Sequence, residues 1–218
     1  MPTFPLTDTS GRNAMRRSIW WGAALAAACL AAPAFAIEAQ NVGAKLKVNE
    51  RPPVGIDVGL GVGGFTGGLA TNTNPGPLLG VTANAQYWPF LAIEGGYQIQ
   101  RLAIDDSRVQ SGEGIWRNNL GLLAKAGPLL DEKWRPFVGA GAGLSYLDPS
   151  TGGEGVYHND LQTEIPLAAG LDYRFGNIVA GARATYSILG SENVVRTASG
   201  NDEKGSLFNA NITVGGRF

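Results

Sequence analysis

The chain has 218 residues, a formal net charge of −1 and 32 glycines, roughly twice the usual glycine share of about 7%. That charge offers no basis for binding nucleic acid, and the glycines follow no three-residue period of the collagen kind. The single cysteine, Cys29, falls inside an N-terminal apolar run, so the rest of the chain has neither a disulfide nor a thiol nucleophile.

Arg16 and Arg17 precede the apolar run from Ile19 to Leu30. Pro33, Ala34, Phe35 and Ala36 then place small residues at positions −3 and −1 of a cut after Ala36. Basic residues, a short apolar core and a small-residue site read together as an export signal over residues 1–36. A spanning helix needs about 20 apolar residues, more than this run supplies before Pro33. The stretch ahead of Met15 looks like neither a charged n-region nor a fold, so Met15 is a candidate start beside Met1. Acylation at Cys29 is an alternative, opposed by the apolar sequence that continues past it. Residues 37–52 form a short polar segment, and residues 53–218 form the remaining domain.

From Val54 onward the chain alternates with period two, the mark of strands whose two faces meet different surroundings. The first strand sets Val54, Ile56, Val58, Leu60 and Val62 against Gly55, Asp57, Gly59, Gly61 and Gly63. The second sets Leu79, Val81, Ala83, Ala85 and Tyr87 against Gly80, Thr82, Asn84 and Gln86. In the third, Leu91, Ile93, Gly95, Tyr97 and Ile99 oppose Glu94, Gly96, Gln98 and Gln100. The fourth opposes Trp116, Leu120, Leu122, Ala124 and Ala126 to Arg117, Asn119, Gly121 and Lys125, with Asn118 and Leu123 breaking the pattern. Val138, Ala140, Ala142, Leu144 and Tyr146 alternate with glycines and Ser145 in the fifth. The sixth sets Ile165, Leu167, Ala169, Leu171, Tyr173 and Phe175 against Glu164, Gly170, Asp172 and Arg174. The seventh sets Ile178, Ala180, Ala182, Ala184, Tyr186 and Ile188 against Gly181, Arg183, Thr185 and Ser187. The last sets Phe208, Ala210, Ile212, Val214 and Phe218 against Asn209, Asn211, Thr213 and Arg217.

Connections alternate in length. Trp88 to Phe90, Pro128 to Lys133 and Gly176 to Asn177 are tight, whereas Gly64 to Pro77, Leu102 to Gly114, Leu147 to Asp160 and Leu189 to Lys204 are long. This arrangement predicts an all-β fold, an eight-stranded antiparallel up-and-down transmembrane β-barrel with short turns at one end and long loops at the other.

Alternation alone also fits a soluble barrel with an apolar core. The aromatic residues favour the membrane. Tyr87, Phe90, Trp134, Tyr173, Phe175 and Phe218 gather at the short-turn end of the apolar face, and Trp116, Tyr146, Tyr186 and Phe208 at the loop end, as two interfacial girdles would. The polar face carries Asp57, Glu94, Glu164 and Asp172 with Arg117, Lys125, Arg174, Arg183 and Arg217, nearly balanced in sign, and predicts a lumen closed by ion pairs.

The Gly-rich fifth strand from Pro136 to Tyr146 and the final strand ending in Phe218 resemble the small outer-membrane β-barrel family typified by the transmembrane domain of OmpA. The resemblance covers Pro53 to Phe218. It implies residence in the cell outer membrane and contact with its lipids and lipopolysaccharide. It also implies delivery by the barrel-assembly machinery, with Phe218, Val214 and Ile212 as the recognition signal, although Gly216 stands where a bulky residue is often found. The peptidoglycan-binding domain that some relatives carry is not expected after Phe218.

Gly59, Gly61 and Gly64 formally fit a dinucleotide fingerprint, but an Asn-, Pro- and Gly-rich loop follows where a helix N-terminus must meet the pyrophosphate. Some barrels of this type are lipid A deacylases that pair a histidine with a serine two residues on. Here the only histidine, His158, has Asp160 at that position. The long loops are acidic, which permits divalent-cation contact with lipopolysaccharide but is ordinary for solvated loops. No catalytic residue, cofactor or resident metal is expected. The function expected is a non-enzymatic scaffold presenting four surface loops. Its rival is a narrow pore or a transporter of a small hydrophobic solute. An eight-stranded interior is just wide enough for side chains to fill, while lumenal glycine pulls toward open space.

Overall fold

The computed structural model describes residues 53–154, 159–190 and 205–218. The export signal over 1–36, the segment 37–52 and His158 lie outside the described residues. Nine strands occur among them: β1 (Val54–Gly67), β2 (Thr73–Asn74), β3 (Gly76–Trp88), β4 (Leu91–Ile104), β5 (Gly114–Ala126), β6 (Trp134–Pro149), β7 (Asp160–Phe175), β8 (Ile178–Leu189) and β9 (Gly205–Arg217). All but the two-residue β2 form a ring. β1 pairs with β3, each later strand pairs with the next, and β9 returns to β1, every pair antiparallel. The sheet is therefore a closed eight-stranded barrel without a free edge.

Register keeps like faces together. Val58 lies beside Val81 and Val214, and Leu60 beside Leu79 and Ile212, so aliphatic side chains touch across strands on the outer wall. The five aliphatic residues of the first predicted strand are 45–59% exposed, while the glycines and Asp57 between them turn inward. Such a continuous apolar wall marks a surface built for lipid. Phe90, Trp134, Phe175 and Phe218 stand exposed on it at the turn end, and Trp116, Tyr146, Tyr186 and Phe208 at the loop end.

Both pattern breaks in β5 have local causes. Asn118 does face outward, and there the hydroxyl of Tyr97, from the neighbouring strand, meets its Oδ1 at 2.5 Å. Leu123 faces inward and packs with Phe137 and Ala168.

Several strands run further toward the loop end than alternation suggested. β1 reaches Gly67, β4 Ile104 and β6 Pro149, so the long connections are shorter than expected. The extra residues keep lumenal parity and bring Phe65, Leu102, Ile104 and Leu147 into one apolar cluster, which rewards continued pairing. The first long connection is structured too. A 3-10 turn over Gly68–Thr71 precedes β2, which pairs Thr73 with Ile104 and Asn74 with Ala103. At the other end the β7–β8 hairpin turns on Gly176 at φ 60°, a conformation open to glycine without penalty. Pro166, lacking an N–H, faces the stretch of β6 between Ala140 and Gly143 where the β6–β7 ladder is interrupted.

Candidate functional site: the filled lumen

The inward residues of the eight staves form three tiers. Uppermost, level with the loop-end girdle, Phe65, Leu69, Leu102, Ile104, Ile115, Leu147 and Leu207 make a buried apolar cap, with Val109 and Leu189 packed against it. Leu102 and Leu207 are fully buried and Ile115 and Leu147 nearly so, which makes this the driest part of the barrel. The loop after β4 helps hold it. Asp106 accepts from the backbone N–H and the guanidinium of Arg108, the Asp106 carbonyl accepts from Val109 N–H, and Val109 reaches the cap. Those bonds from Arg108 hold the Asp106 carboxyl below its ordinary value.

Beneath the cap, Arg117 grips Glu164 through two parallel bonds, Nε to Oε1 at 2.9 Å and Nη2 to Oε2 at 2.6 Å. Both side chains are about 2% exposed. The Ser145 hydroxyl donates to Glu164, and Asn119 Nδ2 reaches both Ser145 Oγ at 2.9 Å and Glu164 Oε2 at 3.2 Å. A bidentate arginine and two further donors satisfy this carboxylate, the condition on which a buried ion pair is tolerated.

A second network completes the middle tier. Arg183 forks onto Glu94 at 2.5 and 2.7 Å, and Lys125 bridges Glu94 at 3.4 Å to Asp172 at 3.0 Å. The Phe137 ring lies beside both cations, 4.0 Å from Lys125 Nζ and 5.6 Å from Arg183 Cζ. The ring fits because Gly170 stands opposite it in register: a Cβ there would come within 2.6 Å of Phe137 Cζ. Of the remaining residues expected in ion pairs, Asp57 accepts from Asn84 Nδ2 at 2.6 Å and Arg217 donates to Gln86 Oε1 at 2.8 Å. Neither makes an ion pair, and Arg174 makes none either, among the described residues.

Arg174 and Arg217 belong to the lowest tier, at the turn end, with Arg135, whose Nη2 donates to the Pro89 carbonyl at 3.0 Å. Sequence reasoning missed Arg135 and Phe137. Both share parity with Gly139, Gly141, Gly143 and Ser145, so extending the fifth strand's alternation toward its N-terminus would have found them. Arg135, Arg174 and Arg217 thus gather at this end, with Asp57 and Asp172 beside Arg135 and Arg217. No group of three or more His, Cys, Asp or Glu side chains among the described residues is arranged to hold a metal ion.

A family model described as the outer membrane protein beta-barrel domain matches residues 22–218. Among solved structures, the chain is similar to Neisserial surface protein A (NspA), with a TM-score of 0.57, 15% identity, and coverage of 76% of this chain and 97% of that one. It is likewise similar to the outer membrane protein OprG from Pseudomonas aeruginosa, with a TM-score of 0.55, 11% identity, and coverage of 79% and 98%. At these identities the likeness is one of fold. No curated protein matches the chain in sequence.

Proposed function

Because the chain belongs to the outer membrane protein beta-barrel family, and so resides in the bacterial outer membrane, we propose that it is a non-enzymatic scaffold whose loop-end connections carry its contacts at the cell surface. The observation that carries this reading is the filled lumen. An apolar cap lies over a fully buried Arg117–Glu164 pair, and a second ionic network lies below. A water-filled path would have to cross the dry cap and pull apart groups that satisfy one another. Purified protein in planar bilayers is therefore expected to give at most small, rare conductances; a steady porin-like current would overturn the reading. Lipopolysaccharide and outer-membrane lipids are the partners the exposed wall and loops suit.

The alternative, a narrow pore or a path for a small hydrophobic solute, draws on one observation. The turn-end mouth carries an open cavity of about 320 Å³. If they act as a gate, Leu102→Ser in the cap should raise conductance well above that of the unaltered chain.

Delivery by the barrel-assembly machinery, with Phe218, Val214 and Ile212 as its signal, belongs to the same proposal. Support comes from the exposure of Ile212 and Val214 on β9, 63% and 57%, and of Phe218 just beyond it, 84%. Phe218→Ala should lower the heat-modifiable, folded fraction in cells while leaving refolding in detergent unchanged.

A further inference from the structure

The turn-end tier holds three guanidiniums, those of Arg135, Arg174 and Arg217, that make no ion pair among the described residues. Arg135 and Arg217 line one small polar space beside Asp57 and Asp172, and Arg174 and Arg217 line the adjoining cavity of about 320 Å³ with Gln86, Gly176, Asn177 and Phe218. Arg217 lines both spaces and so connects Arg135 with Arg174. The nearby carboxylates are already engaged, Asp57 by Asn84 and Asp172 by Lys125. Asp131 and Glu132, in the adjacent turn, make no ion pair with any of the three. Two donors are also left over: Nε of Arg135 and Nε of Arg217 are buried without a hydrogen-bond acceptor.

Clustered like charges with orphaned donors are costly unless an anion completes them. The guanidinium fork matches tetrahedral and planar oxyanions, and two forks on one cavity, those of Arg174 and Arg217, suit a multiply charged group better than a single carboxylate. Short turns of such barrels face the periplasm, so the cavity opens toward the inner leaflet and the periplasmic solution. From this geometry we infer that Arg174 and Arg217 form a binding site for a phosphoryl oxyanion at the periplasmic mouth, with Arg135 adding positive charge from the adjoining space. The anion is either a free phosphate compound or a phospholipid headgroup reaching over the rim.

The test uses the chain in zwitterionic phosphatidylcholine nanodiscs, which leave both ends open. Inorganic pyrophosphate is titrated calorimetrically at ionic strength held constant with sodium chloride. Saturable binding is expected, weakened about tenfold or more in Arg174→Gln/Arg217→Gln, which loses two charge-assisted contacts. Arg108→Gln, at the loop end, should leave it unchanged. In a second arm, discs containing phosphatidylglycerol are compared with pure phosphatidylcholine for thermal stabilisation of the same proteins. Stabilisation by phosphatidylglycerol that the double variant lacks, without pyrophosphate binding, assigns the site to lipid. Binding in the first arm alone assigns it to a soluble anion. Arg174→Gln by itself breaks no ion pair and serves as the variant certain to reach the folded, heat-modifiable form. The inference is overturned if neither arm shows a response that depends on these arginines.

Discussion

At the loop end of the lumen seven apolar side chains close over an Arg117–Glu164 pair, whereas at the turn end Arg135, Arg174 and Arg217 make no ion pair among the described residues. The same eight staves and the same alternation build both ends. What differs is the company each inward residue keeps. A guanidinium under the cap has lost water and needs a complete set of acceptors. At the turn end Arg174 and Arg217 line an open cavity instead, and no carboxylate pairs with them among the described residues. Position along the tube therefore decides what a lumenal charge costs, and substitutions can test that contrast.

The largest effect is expected from Arg117→Ala, which strands Glu164 in a dry layer and should cost about 3–5 kcal/mol of unfolding free energy in lipid vesicles. A cost below about 1 kcal/mol would mean that water reaches this tier. Truncating the cap by Leu102→Ala should come next, at about 2–5 kcal/mol, because a fully buried side chain leaves a cavity its neighbours cannot fill. The wall supplies a control on direction. Val214→Arg should cost about 2–4 kcal/mol by placing a guanidinium in hydrocarbon, while Thr213→Asn, one residue away and facing the lumen, should be tolerated. Equal penalties would reverse the assignment of faces. Arg174→Gln, at the open mouth, should change stability by no more than about 0.5 kcal/mol, since it removes repulsion along with charge.

The smallest effect concerns the loop that steadies the cap. Arg108 lowers the Asp106 carboxyl below its ordinary value, so this turn's contribution is fully present above the unfolded value and is lost as pH falls through the folded one. Amide exchange at Val109, corrected for intrinsic rates, should stay slow through the normal carboxylate range and quicken only below it. Asp106→Asn should remove that dependence.

Much of this architecture is legible in the chain because a strand between lipid and lumen repeats every second residue. The parity of all eight staves and both girdles can be read from that period alone. Strand ends are harder. Phe65, Leu102 and Leu147 look like hydrophobic residues at the edge of loops, and only closure of the ring brings them together. Arg135 and Phe137 are obscured for another reason: glycines dominate their strand, so its aliphatic face announces itself only at Val138. Ion-pair partners are the least legible. Arg183 meets Glu94 from 89 residues away, and that choice depends on barrel radius and side-chain reach, which no local spacing encodes. Asp57, Arg174 and Arg217 carry the same residue types at the same parity, yet they make no ion pair among the described residues.

Closure of β1 onto β9 has a consequence in time. The seam runs from Gly55 opposite Arg217 to Gly67 opposite Gly205, and along it the Thr66 hydroxyl reaches the Ser206 carbonyl 140 residues further on. Until the last stave is synthesised and delivered, β1 and the most recent strand each present a row of bare N–H and C=O groups, which hydrocarbon does not satisfy. Contacts this distant in sequence form late, because the chain loses the entropy of the whole intervening loop before the seam gives anything back. The chain is thus most vulnerable to mispairing with another copy before the seam closes, and pairing of β9 with β1 is the latch that ends that interval.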